Sequence, residues 1–178
     1  FYGEMQCATC HSGYLMTDQQ AHNIAIPSIG PGKTVSTNID FGFMLESGEE
    51  GDRFSFRTPP LDNVALTGPW MHNGAYVSLE DAVWHHLNPE AALFGYDVSQ
   101  LTPEMQATVR MDEDVIVEIL RRLDPLVAIP KTISDAEMDD LLAFLDALTS
   151  PTMADLTSTI PESVPSGLTV GGLLTAPE

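Results

Sequence analysis

The chain has 178 residues, enough for one compact domain, and 43% of them are hydrophobic, enough for a real core. Twenty-six acidic residues against seven basic ones give a formal net charge of −19, which excludes a nucleic-acid binder because phosphate would be repelled. No run approaches the ~20 consecutive apolar residues of a membrane span, so no transmembrane segment is expected. Any partner should be neutral or basic. The acidity reads equally well as a device for solubility and as a field that draws in a cationic protein.

Residues 1 to 11 read as the end of a short helix running into "QCATCH", residues 6 to 11, which holds both cysteines of the chain, Cys7 and Cys10, with His11 directly after. A disulfide across so short a loop closes little chain entropy. A thioredoxin-like pair follows a strand, and no Val/Ile-rich strand precedes Cys7. Zinc would need two more ligands in a compact set, and there is no second cysteine pair. C-x-x-C-H is instead the spacing of c-type haem attachment. Cys7 and Cys10 would form thioethers to the haem vinyl groups, and His11, held close by that tether, would ligate the iron from one side. One covalent haem c is the expected cofactor. Such attachment is carried out on the exported side of a membrane, so a periplasmic or extracellular location is expected.

Residues 12 to 60 show little periodicity and many turn formers, including "PSIGPGK" and "ESGEEGD", and read as ordered loop. A structureless run of that length is unusual inside a compact domain, and a large flat apolar cofactor would account for it. The first half of 56 to 89 is extended and turn-rich. Its second half opens a helix at Ser78, with Asp81 three positions on, and Pro89 stops it. Further helices are predicted at about 103 to 110 and 112 to 123. The clearest helix follows Ser134 and Glu137, a capping-box pair, with Met138, Leu141, Leu142, Leu145 and Leu148 as its apolar stripe. After Pro151 the segment rich in Pro, Gly, Ser and Thr reads as an extended surface tail. The expected organisation is a haem domain over 1 to 150 and a tail over 151 to 178.

Taken together, "CATCHSG" (7 to 13), "TDQQAHN" (17 to 23), "FRTPPLDNVALTGPWMHNGAYVSLEDAV" (56 to 83) and "LLAFLDALT" (141 to 149) resemble the di-haem cytochrome c peroxidase family, which includes MauG, and within it the C-terminal haem domain. The resemblance reaches to about residue 150, and "VPSGL" (164 to 168) is similar to tails of some members. It implies an all-α, cytochrome c-like domain with long ordered loops. It also implies a second haem domain or chain where peroxide reacts, a small electron-donor protein, and a calcium ion near the domain boundary. This chain, with one haem motif, then looks like the half through which electrons enter. Phe1-Tyr2-Gly3 stands where a cytochrome normally carries a complete first helix, so further residues are expected upstream. Asp62 and Phe43 depart from the family, which usually and often, respectively, has arginine there.

Several residues follow from this frame. Thr67 and Pro69 match positions whose backbone carbonyls help bind calcium in the family, against the plainer reading of a turn at Gly68-Pro69. His72 reads as a structural hydrogen-bonding residue, His22 as a loop anchor, and Trp70 and Trp84 as packing. The second axial ligand is expected at His86. Leu79, Ala82, Val83 and His86 fall on one apolar helical face, while Ser78, Asp81 and His85 fall on the other, where Asp81 could meet His85. The resemblance places methionine (peroxidases) or tyrosine (MauG branch) at this position. The alternative, in which His86 is a hydrogen-bonded core residue and Met71 ligates, stays open.

Overall fold

A computed structural model of the chain describes residues 1–30, 39–161 and 163–167. The other residues of the predicted loop, and the end of the predicted tail including part of "VPSGL", lie outside the described residues.

The haem motif is carried on a single 3-10 turn, Cys7–Thr9, rather than at the end of a regular helix. The long segment that follows contains β1 (Ala21–His22), α1 (Met44–Ser47), a 3-10 turn at Glu50–Asp52 and β2 (Phe56–Arg57). β1 and β2 pair antiparallel, Ala21 with Arg57 and His22 with Phe56. This small ladder, with isolated bridges such as Trp70 to Tyr76, is the part that an all-α expectation leaves out; the other regular elements among the described residues are helical.

Protein hydrogen bonds, rather than a cofactor alone, hold this segment in place. The buried Asn23 side chain donates to the Ile119 carbonyl (2.9 Å) and accepts from the Ala25 amide (2.9 Å), so a polar residue is fully satisfied inside the core. The Thr17 hydroxyl donates to the Thr58 carbonyl (2.6 Å), and the Thr58 amide to the Gln20 carbonyl (2.9 Å). Gly42 takes φ +62°, and a Cβ there would run into the Ser55 carbonyl, so only glycine fits this bridge.

The second half is helical for local reasons. α2 (Leu79–Leu87) is capped by Ser78, whose hydroxyl accepts from the Asp81 amide (3.2 Å). Pro89 does end α2, but it also begins α3 (Pro89–Phe94). Asn88 caps that helix, and proline at the first helical position has no amide to leave unpaired. α4 (Pro103–Gln106) is shorter than its sequence suggests. α5 (Glu113–Arg121) has Glu113 and Asp114 in its first turn and Arg121 in its last, the charge order its dipole favours. α6 (Asp135–Asp146) forms the whole capping box: the Ser134 hydroxyl accepts from the Glu137 amide and the Glu137 carboxylate accepts from the Ser134 amide.

Two apolar clusters form the core. Val115 and Ile119 of α5 pack with Ala25, Phe54 and Leu93; Ala82 of α2 packs with Ile29, Ala75, Tyr76 and Leu101. α2 packs against α3 and α6. From the predicted stripe, α6 buries Met138, Leu141 and Leu145, while Leu142 and Leu148 are half-buried. Beyond Ser150, 3-10 turns at Pro151–Ala154 and Thr157–Thr159 replace the expected extended chain, and residues 155 to 161 are exposed. No helix among the described residues is long and apolar enough to cross a membrane.

Leu145→Ala should destabilise the protein by about 2–5 kcal/mol in urea denaturation, the usual cost of emptying a buried leucine site. Leu142→Ala, half-buried on the same helix, should cost clearly less, and equal losses would contradict this placement of α6.

Candidate functional site

The turn at Cys7 closes when the Cys10 and His11 amides both donate to the Cys7 carbonyl (3.3 and 2.9 Å). Both cysteines are free and half-buried. Burial pushes the Cys7 thiol up. Cys10 rises to about 11, through burial first and then the charges of Asp18 and Asp124. A reactive redox pair needs the opposite shift, toward thiolate.

The His11 ring donates from Nδ1 to the Met16 carbonyl (3.0 Å). Its pKa is lowered mainly by burial, partly offset by the Met16 and Pro59 carbonyls. On α2, the His86 ring donates from Nδ1 to the Ala82 carbonyl one turn back (2.7 Å). In both residues a backbone carbonyl holds Nδ1 and so directs Nε2 as the ligating atom, the arrangement usual for metal-binding histidine. Desolvation lowers the pKa of His86, partly offset by the Ala82 carbonyl, and the residue is exposed to solvent and so reachable by a ligand.

The structure brings these two imidazoles together from segments far apart in sequence. Their ring centroids are 6.4 Å apart and their planes lie at 59°. A metal–nitrogen bond of about 2 Å on each side, with roughly 1 Å more from nitrogen to ring centre, spans about 6 Å. Two free cysteines in the turn that leads into His11 would supply the thioether attachments, so the residues present fit a c-type haem. A separate cleft of ≈ 620 Å³ between residues 1–5 and α6 has neither histidine nor either cysteine in its lining.

The neighbour of His86 departs from expectation. His85 does not face outward toward Asp81. It is wholly buried, with Nδ1 2.8 Å from the Tyr76 hydroxyl and Nε2 2.7 Å from the Ile24 carbonyl. An apolar stripe counts hydrophobic side chains and misses a polar one whose partners wait inside. The helix buries Ala82, His85 and Leu87, and His86, about 100° further round, still meets His11.

The remaining residues fall as follows. Met71 is half-buried against the second core cluster. The His72 ring stacks on Phe56 (3.4 Å between centroids, 11° between planes). Trp70 donates to the Val64 carbonyl and Trp84 to Glu80. Thr67 and Pro69 are exposed, and among the described residues no His/Cys/Asp/Glu cluster gathers at their turn. His22 lies between two carboxylates, Asp124 (2.6 Å from Nδ1) and Asp18 (2.9 Å from Nε2). Asp18 sits four residues before His22 and could have been read from "TDQQAH"; Asp124 has no local signal. Ligand atoms of Cys10, Asp18 and His22 all lie within 4.8 Å of one another, so this charged cluster adjoins the second cysteine of the motif.

No family model matches the chain. Its fold is that of a solved MauG-like protein associated with microbial copper homeostasis, at a TM-score of 0.59 and 23% identity, covering 88% of this chain and 46% of that one. By sequence it is a relative of the cytochrome c peroxidase and MauG proteins. Matches include cytochrome-c peroxidase IdrP1 of Pseudomonas sp. strain SCT, 24% identical over 71% of this chain and 39% of the relative. They also include the methylamine utilization protein MauG of Methylorubrum extorquens, 26% identical over 74% and 35%, and MauG of Paracoccus denitrificans, 30% identical over 71% and 36%. The chain thus spans well under half the length of these relatives.

Burial opposes a charge on His22, but the hydrogen bonds and charges of Asp124 and Asp18 outweigh it, so its pKa is raised. Charged His22 therefore adds stability that is fully present below its unfolded pKa near 6.5 and is lost as pH rises through the higher folded value. Asp18, whose own pKa is lowered, stays ionised across that window. The stability gap between the haem-loaded protein and its His22→Gln variant, from urea denaturation, should be largest at about pH 5–6 and shrink above neutrality. A gap that does not vary with pH would rule out the charged pair.

Proposed function

We propose that this chain is a c-type haem electron-transfer domain of a di-haem cytochrome c peroxidase-like oxidoreductase, passing electrons from a donor to a peroxide-reactive haem on another domain or chain. The observation that carries this reading is the pair of facing imidazoles, His11 and His86, each with Nδ1 held by a backbone carbonyl. The haem, when bound, supplies one-electron exchange at iron. Cys7 and Cys10 would hold it covalently, and His11 and His86 would be its protein ligands. A haem held by both histidines would leave peroxide no open coordination site, so the role read for the chain is to move electrons. Histidine in place of methionine as second ligand lowers the potential, because Met/His ligation raises it.

The wider setting follows the same reading. The haem domain is residues 1 to 150, a cytochrome c-like unit, and 151 to 178 form its tail. Its location is periplasmic or extracellular. The electron donor is a small neutral or basic protein, steered by a surface of net charge −19. Calcium, where bound, takes the carbonyls of Thr67 and Pro69 with ligands from the other haem domain. The same His11–His86 pair would also serve a second reading, a pure electron-transfer or structural cytochrome subunit of a larger haem complex with no peroxidase activity.

The haem-loaded chain should show a low-spin ferric spectrum with no methionine-to-iron charge-transfer band in the near infrared, and His86→Met should introduce that band. A band already present in the wild type, or a low-spin spectrum unchanged by His86→Ala, would overturn ligation by His86.

Peroxidase turnover by the haem-loaded chain alone should be negligible, and His86→Ala, which opens one axial position, should raise it. Fast turnover by the wild type without a second haem would overturn the electron-entry role. Reoxidation of the reduced chain by a peroxide-treated di-haem partner separates the two readings: it is expected for the peroxidase module and absent for the independent cytochrome.

A further inference from the structure

Among the described residues His85 is the most buried polar side chain, and its ring faces protein groups on both nitrogens rather than His11. It is 0% exposed, and both ring nitrogens are engaged. The Ile24 carbonyl can only accept, so Nε2 carries the hydrogen. Nδ1 then has a lone pair and accepts from the Tyr76 hydroxyl. One tautomer of a neutral ring satisfies both partners.

The two partners stand on different parts of the fold. Tyr76 precedes α2 and bridges Trp70 through the backbone. Ile24 follows Asn23, whose side chain is bonded to the last turn of α5 and whose carbonyl accepts from the Asp124 amide (2.9 Å). His85 therefore ties α2 to a loop that is itself fixed to α5, and it sets the rotation of α2 about its axis. That rotation matters for the next residue. A 10° turn would carry an imidazole nitrogen lying roughly 7 Å from the axis through about 1 Å, which exceeds the tolerance of a well-held ligand site.

We propose that the Tyr76–His85–Ile24 hydrogen-bond chain is the device that positions His86 against His11, with Tyr76 and His85 as positioning residues that never touch the iron. The proposal rests on His86 being the second axial ligand. It predicts that the 59° angle between the two imidazole planes and the resistance of His86 to displacement both depend on a hydrogen bond about one residue away.

The test uses the haem-loaded full chain as wild type, Tyr76→Phe, His85→Gln and His85→Leu, with Leu87→Ala as a control that removes buried volume from the same helix without touching the polar chain. The readouts are the electron paramagnetic resonance g-values of the ferric protein, which report the angle between axial imidazoles, and the rate at which cyanide displaces the protein ligand. Tyr76→Phe keeps its ring and volume and should fold. It should shift the g-values and speed cyanide displacement by about tenfold, the size of effect typical of residues that orient a metal ligand. His85→Gln, which can still donate to Ile24, should fall between wild type and His85→Leu, and Leu87→Ala should leave the g-values unchanged. Wild-type g-values and exchange rate in both Tyr76→Phe and His85→Gln would overturn the proposal, as would an equal shift in Leu87→Ala. If the wild type lacks a bis-histidine signal, it is the assignment of His86 that fails, and this is seen before any variant is made.

Discussion

Four consecutive residues, His22 to Ala25, hold the two halves of this molecule together. Ala25 is fully buried in the cluster built on Val115 and Ile119. Asn23 closes the gap to α5 with its side chain and to Asp124 with its backbone, His22 bonds both Asp18 and Asp124, and the Ile24 carbonyl receives His85. Each of these groups would carry a desolvation penalty if left unpaired in the interior, of about 1–3 kcal/mol apiece. Their mutual satisfaction therefore specifies one docking of the long first-half segment on the helices, where apolar packing alone would tolerate several. The His11–His86 juxtaposition depends on this docking, because the haem motif lies before the segment and α2 lies after it.

The parts that sequence reasoning recovers are those with short-range causes. The spacing of Cys7, Cys10 and His11, the caps at Ser78 and Ser134, and the stripe of α6 are written within a few residues of where they act. Bonds between distant segments are not. Asp124 is 102 residues from His22, and nothing in "LDPLVAIP" marks it as the partner. The adjacent pair His85 and His86 is the instructive case. Periodicity places one inward and one outward by hydrophobic company, yet the buried one is His85, because the Tyr76 hydroxyl and the Ile24 carbonyl supply what a polar ring needs. His86 is then free to present its ring to His11. Pro89 shows the same limit, since a stop signal for one helix is also a start signal for the next.

The acidic surface has a different logic from this interior. Arg53 and Arg122 both reach Glu50 and Glu118, and Arg110 pairs with Asp112, so cations are drawn into pairs while most carboxylates stay in solvent. Pairs of this kind, with at least one partner well exposed, contribute little to stability, about 0–1 kcal/mol each. A net charge of −19 adds self-repulsion that works against the compact state. The fold therefore carries its charge at a cost to stability, offset by the satisfied polar hub and the two apolar clusters. What the charge contributes lies outside the molecule, in solubility or in steering a cationic partner, and the two differ in range. Steering weakens as salt shortens the Debye length from ~30 Å at 0.01 M to ~8 Å at 0.15 M. Solubility from net charge has no such dependence on one partner's approach. A salt dependence of partner encounter would therefore separate steering from solubility as the use of this charge.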